Sequence, residues 1–84
     1  MRANTGTTVY IIQSQLDRNR YYTGITENLE RRLAEHDRGE MPSTRGLRPL
    51  HLHVAVWFND DQRAREFERY LKTGSGRAFA KRHF

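Results

Sequence analysis

Arg32 and His36 stand four residues apart, a spacing that puts a guanidinium and an imidazole on one face of a helix. There the first can form charge-assisted bonds to a phosphate. Tyr10 and Tyr22 are phenols in β-branched, aromatic segments; a free phenol, with a pKa of about 10, is a poor base at neutral pH unless its surroundings lower that value. Glu68 is a hard oxygen ligand of the kind that suits a magnesium or manganese ion. Taken singly, each has an ordinary explanation. A strand tyrosine packs, an Arg and His on a helix face are solvated, and Glu68 is placed to pair with Arg65 or Lys72 at helical spacing. His51 and His53 alternate along one strand like a metal pair, yet no third ligand stands near them in sequence. Trp57 falls on the same face by alternation and reads as a core or helix contact, with stacking on a base as the alternative. Gly74-Ser75-Gly76 lacks a Gly-Lys-Ser/Thr signature and reads as a turn.

The elements that must position these groups have little chain to work with. Eighty-four residues leave room for one domain, residues 1–84, with a small core. Absence of cysteine excludes disulfides, thiolate zinc sites and cysteine nucleophiles, and suits a reducing cytoplasm. The longest apolar stretches, Val9 to Ile12 and Leu52 to Phe58, are too short to span a bilayer, and the segment from Met1 to Gly6 shows no secretory signal. The expectation is therefore a soluble chain. Its net charge of +5 points to an acidic partner. The first 68 residues balance ten bases against ten acids, so the whole excess lies in Arg69, Lys72, Arg77, Lys81 and Arg82. Thirteen of the fifteen bases are arginine, a bias that fits phosphate recognition and that GC-rich codon usage would also produce.

Thr7 to Ile12 and Tyr21 to Ile25, separated by the turn-rich Asp17-Arg18-Asn19-Arg20, predict a hairpin. Thr26 is expected to cap a helix over 27–38, with Glu27 and Glu30 at its positive end and Gly39 after it. Residues 39–49 read as a loop of low rigidity whose Arg38, Arg45 and Arg48 could meet a polyanion. Leu50 to Phe58 alternates, which predicts a strand with Leu50, Leu52, Val54, Val56 and Phe58 buried on one face. Asn59 is the expected cap of a second helix through Leu71 and Lys72 to Gly74, and a short last helix carries Ala78, Phe79 and Phe84. The fold class is α+β: a small three-stranded antiparallel sheet packed with helices, in the order β-β-α-β-α plus a short C-terminal helix.

Thr8-Val9-Tyr10 on the first strand, Tyr22-Thr23-Gly24 on the second, Thr26 to Leu33 followed by His36, and Glu68-Arg69-Tyr70-Leu71-Lys72 with its Gly74 to Phe79 tail together resemble the GIY-YIG nuclease family. They look most like its small stand-alone bacterial members, with a more distant similarity to the N-terminal nuclease module of the excision-repair incision enzyme. The resemblance covers nearly the whole chain and implies a phosphodiesterase that uses one Mg²⁺ or Mn²⁺. It makes Tyr10 and Tyr22 the motif tyrosines, Gly24 the motif glycine, Arg32 the catalytic arginine, His36 the histidine of several members, and Glu68 the metal-binding glutamate. Thr8 replaces the motif glycine and Thr23 its isoleucine or valine; both read as strand variation. The lysine some relatives carry after the second motif is replaced by Ile25 and Thr26.

These residues supply what phosphodiester hydrolysis needs: a base, compensation for charge on the phosphate, and help for the leaving oxygen. Tyr10 is the expected base, directly or through a relay, its pKa lowered by Arg32 and metal, and Tyr22 positions water or phosphate. The expected activity is a DNA endonuclease in repair or processing, structure-selective or weakly selective, with any sharper specificity supplied by a protein partner. The alternative is a non-cleaving nucleic-acid-binding module on the same fold, and a more remote one is a subunit whose arginines meet an acidic protein. The five C-terminal bases are expected to hold the nucleic-acid backbone beside the cut.

Overall fold

A computed structural model describes residues 6–84; the expectation for the N-terminal segment falls largely on residues outside that range. Seven elements follow one another: β1 (Thr7–Ser14), β2 (Tyr21–Thr26), α1 (Leu29–Asp37), α2 (Pro42–Arg45), β3 (Leu50–Phe58), α3 (Asp61–Leu71) and α4 (Gly74–His83). The strands form one antiparallel sheet in the order β2-β1-β3, which is the expected α+β architecture. β1 is central and hydrogen-bonded on both edges, so its run Val9-Tyr10-Ile11-Ile12 is buried on both faces, where an edge strand would alternate.

One face of the sheet carries the core. Val9 and Ile11 pack there against Ala64 and Leu71 of α3, with Ile25, Val54, Phe58, Phe67 and Phe79 around them. α4 closes this layer through Phe79, which meets Phe67 and Phe84 edge-on. Thr7 Oγ1 donates to Asp61 Oδ1 at 2.9 Å and ties the start of β1 to the first turn of α3.

Several boundaries differ from expectation, each for a local reason. Thr26 belongs to β2, paired with Thr8, so α1 begins later; Asn28 is its cap and accepts from Arg31 N. Likewise Asp60, not Asn59, caps α3, accepting from Gln62 N and Arg63 N, and the helix stops at Leu71 with Lys72 as its C-cap. Gly74-Ser75-Gly76 is the first turn of α4, capped by Thr73, not a free turn, and the terminal helix has 10 residues. α1 ends as the sequence implies. Gly39, at φ 77, lets Glu40 N bond to Glu35 O and Gly39 N to His36 O, both at 3.0 Å.

β3 departs most. Ile11 pairs with Val54 and Ile12 with Leu52, so His53 is an extra residue and a bulge. Alternation therefore resets: Val54, Val56 and Phe58 share the core face, whereas Leu50 and Leu52 project to the other. Leu52 is 42% exposed, not buried. The reset also separates His51 from Trp57, which the sequence put on one face; His51 pairs opposite Gln13 and Trp57 opposite Thr8.

Candidate active site

Strand pairing builds the second face of the sheet. Tyr10 lies opposite Gly24 and Ile12 opposite Tyr22, so both tyrosines point to the side that α1 covers. Tyr21 points the other way; its hydroxyl accepts from Gln13 Nε2 at 3.1 Å and its ring meets the edge of His53. Gly24 supplies space rather than conformational freedom: a Cβ there would strike Cζ and Oη of Tyr10. The tyrosine ring lies over the bare glycine.

The amphipathic α1 brings His36 onto that ring. Tyr10 Oη is 2.8 Å from His36 Nε2, and His36 Nδ1 is 2.7 Å from Thr44 Oγ1 on α2. Tyr10, His36 and Thr44 are all fully enclosed, with at most 1% of their surface exposed. Tyr22 completes the cluster, its ring centroid 6.5 Å from that of Tyr10 and 5.4 Å from that of His36. Arg32, one turn before His36, is half-buried; it lies close enough to the Tyr10 hydroxyl to pull its pKa down, and it donates from Nε to Glu35 Oε1 at 3.1 Å.

Counting donors and acceptors assigns the proton directions. The buried phenol proton of Tyr10 needs an acceptor, and among the described residues His36 Nε2 is the one within hydrogen-bonding reach. Nδ1 then carries the ring proton and donates to Thr44, whose hydroxyl is left to donate to Met41 O at 3.5 Å. The reverse directions leave the buried phenol proton with no acceptor.

Burial sets the electrostatics. It pushes the Tyr10 phenol up to about 12, outweighing the pull of Arg32. Arg32 thus acts in the expected direction but does not win, and the lowered tyrosine pKa expected from sequence is absent in the free protein. Burial, seconded by the charge of Arg32, lowers His36 from its usual 6.5. The pair rests as neutral phenol and neutral imidazole.

The structure therefore brings Tyr10, Tyr22, Gly24, Arg32 and His36 together. Glu68 lies on α3, with its side chain 14% exposed and ion-paired to Lys72 one turn on; among the described residues no hydrogen bond or ion pair links it to the tyrosine cluster. No three His, Asp or Glu side chains of the described residues are grouped to hold a metal ion, and His51 Nε2 is engaged 2.7 Å from Gln13 Oε1. Of the C-terminal bases, Arg69 and Lys72 sit at the end of α3, and Arg77, Lys81 and Arg82 lie exposed on α4. Thr44 is the participant that sequence reasoning missed. It lies in a segment read as loop, and no spacing signal ties it to a histidine on the preceding helix.

No helix among the described residues is long and apolar enough to cross a membrane. Two curated relatives share part of the sequence. A UPF0213 protein of Natronomonas pharaonis is 43% identical over 53 residues, 62% of this chain and 62% of its own. A UPF0213 protein of Photorhabdus laumondii subsp. laumondii is 40% identical over 52 residues, 61% of this chain and 50% of its own. The matched stretch thus spans between half and two thirds of those relatives. The family model of the GIY-YIG catalytic domain matches residues 7–82, from the first residue of β1 almost to the end of α4, and the chain belongs to that family of nucleases.

Proposed function

We propose that this chain is a divalent-metal-dependent endonuclease that hydrolyses phosphodiester bonds in DNA, with structure-selective or weak selectivity, in repair or processing. The observation that carries the reading is the buried Tyr10–His36–Thr44 chain with Arg32 on the phenol. A buried core needs no such chain. A phenol, an imidazole and a guanidinium converging on one point suit proton transfer beside a phosphate.

In this reading Arg32 binds the scissile phosphate and offsets the charge that grows on its oxygens. Water attacks phosphorus, the bond from phosphorus to the leaving oxygen breaks, and, with the enclosed Tyr10 hydroxyl uncovered by the bound substrate, the water's proton passes to Tyr10 oxygen as the phenol proton moves to His36 Nε2. With Tyr10 pushed up to about 12 and His36 lowered from its usual value, both by burial, the second transfer is strongly uphill in the free protein. Tyr10 is thus a relay that works only as the water loses its proton, not a pre-formed phenolate. Tyr22, half-buried beside it, orients water or phosphate.

Glu68 fits a divalent ion as a single hard carboxylate, the sparse protein contribution that magnesium accepts while keeping water and phosphate oxygens. Such an ion, when bound, supplies Lewis-acid stabilisation of the leaving oxygen. A cysteine-free chain fits a cytoplasmic setting. We also propose that residues 1–84 act as one domain and draw any sharper specificity from a protein partner.

One observation favours the non-cleaving alternative: Glu68 is held by Lys72 and unconnected to the cluster. The deciding experiment incubates the pure protein with labelled branched, flapped, single-stranded and duplex DNA in Mg²⁺ or Mn²⁺, beside Arg32→Ala and Glu68→Gln. Cutting of at least one substrate that both variants lose supports the nuclease. Binding that weakens steeply with salt, without cutting above the variants, establishes the binding module.

A further inference from the structure

The segment between α1 and β3 holds two guanidiniums in fixed places. Arg45 Nε donates to Gly39 O at 2.8 Å; Arg48 Nε donates to Arg45 O at 3.1 Å and its Nη1 to Asp37 O at 3.3 Å. Arg48 lies over Gly39, where a Cβ would collide with its guanidinium, so the left-handed glycine that ends α1 also seats this arginine. All three bonds end on main-chain carbonyls, and neither arginine has a carboxylate in ion-pair contact among the described residues. Arg31, Arg32, Arg38, Arg65 and Lys72 all have one. Five donors per guanidinium, less three, leave seven N–H groups in two anchored forks without an acceptor among the described residues.

Both arginines line an open cleft of about 470 Å³ with Asp37, Pro49 and Leu50. A smaller cavity of about 60 Å³ shares Asp37 and Leu50 with it and reaches inward to His36 and Ile12. The arginine cleft therefore adjoins a cavity that is walled in part by His36 of the tyrosine cluster. We infer that Arg45 and Arg48 form a second phosphate subsite, which holds a backbone phosphodiester of the polynucleotide whose scissile phosphate lies at Arg32; this rests on the proposed nuclease or nucleic-acid-binding reading of that site. Two planar forks held by carbonyls can grip phosphate oxygens bidentately with little side-chain entropy left to lose. Asp37 opposes them. With two cationic and one anionic lining groups the cleft keeps one net positive charge, enough to position a backbone and too little to trap a free anion tightly.

Binding of a fluorescein-labelled DNA, duplex and single-stranded, is followed by anisotropy against salt, with divalent ions chelated so that nothing is cut. The double variant Arg45→Gln/Arg48→Gln should raise Kd about tenfold at low salt and reduce the slope of log K against log salt by about one to two. Arg65→Gln removes one equal charge from a paired site and should change Kd by less than about twofold. Asp37→Asn should tighten binding, a direction that misfolding cannot imitate; if the double variant fails to fold, Arg45→Gln and Asp37→Asn carry the test. The subsite is overturned if Arg45→Gln and the double variant leave Kd and slope unchanged, if Arg65→Gln matches their loss, or if Asp37→Asn does not tighten binding. Were these effects found while no substrate is ever cut, the subsite would stand and the nuclease reading alone would fall.

Discussion

The hydroxyl of Tyr10 meets an imidazole, His36 Nε2 at 2.8 Å, with no carboxylate between them. A carboxylate there would raise the phenol further; a neutral imidazole offers a place for its proton. Tyr10→Phe keeps the ring over Gly24 and removes the proton carrier. Single-turnover cleavage at saturating substrate should fall by about 10²–10⁴-fold, and the unpaired His36 should lower unfolding free energy by about 1–3 kcal/mol. Tyr22→Phe, which leaves the Tyr10–His36 bond intact, should cost less than about tenfold in rate. A larger loss from Tyr22→Phe than from Tyr10→Phe would transfer the base role to Tyr22.

In the tautomer that the Tyr10 proton imposes, Thr44 accepts from Nδ1 of His36 and helps to hold it. In the wild type, nitrogen chemical shifts of His36 should report protonated Nδ1 and bare Nε2. Thr44→Val should mix the two tautomers and slow cleavage about tenfold with little change in half-saturating substrate, while Thr44→Ser should restore both readouts. A wild-type spectrum with the proton on Nε2 would refute the assigned direction.

His36 also makes stability depend on pH. Its folded pKa lies below the unfolded value of 6.5, so between those two values the unfolded chain binds more protons. Stability then rises with pH across that window and is lost as pH falls from 6.5 towards the folded value. Thermal midpoints should drop on acidification, and His36→Gln should flatten the decline between neutrality and the carboxylate range. An equally steep decline in that variant would assign the effect elsewhere.

Among the C-terminal bases, Lys72 is set apart by its pairing with Glu68. Lys72→Met should free the carboxylate and lower the Mn²⁺ concentration for half-maximal cleavage, by less than about fivefold for a pair whose lysine is exposed. Neutralising Arg77, Lys81 and Arg82 together should instead raise the substrate concentration needed and flatten the salt dependence, with the saturated single-turnover rate little changed. Collapse of that rate would make the α4 bases part of the fold or of the reacting centre.

Most of the architecture was legible because burial leaves marks on sequence: Val9 to Ile12 reads as a strand, and the caps and apolar spacing of α1 and α3 read as helices. Where the reading slipped, two local signals competed. Thr26 and Asn28 can both cap a helix, and only pairing with Thr8 decides that Thr26 is strand. The four-residue α2 has no periodicity to detect, so Thr44 could not be linked to His36. The spacing of Arg32 and His36 foretold a shared helix face, but not that α1 would press that face onto Tyr10. The tyrosine pKa depends on how completely the ring is enclosed, a property of three elements at once.

The extra residue at His53 divides β3 between two layers. The apolar residues before it, Leu50 and Leu52, look towards α1 and the cleft, and Val54, Val56 and Phe58 after it look towards α3 and the core. A single-codon deletion of His53 would remove the bulge and let Leu52 and Val54 pair in regular register with Ile12 and Ile11, leaving both halves of the strand on their present faces. Apolar neighbours in the same strand therefore answer to different demands: Val56 and Phe58 to folding, Leu50 and Leu52 to the shape of the surface beside the chemistry.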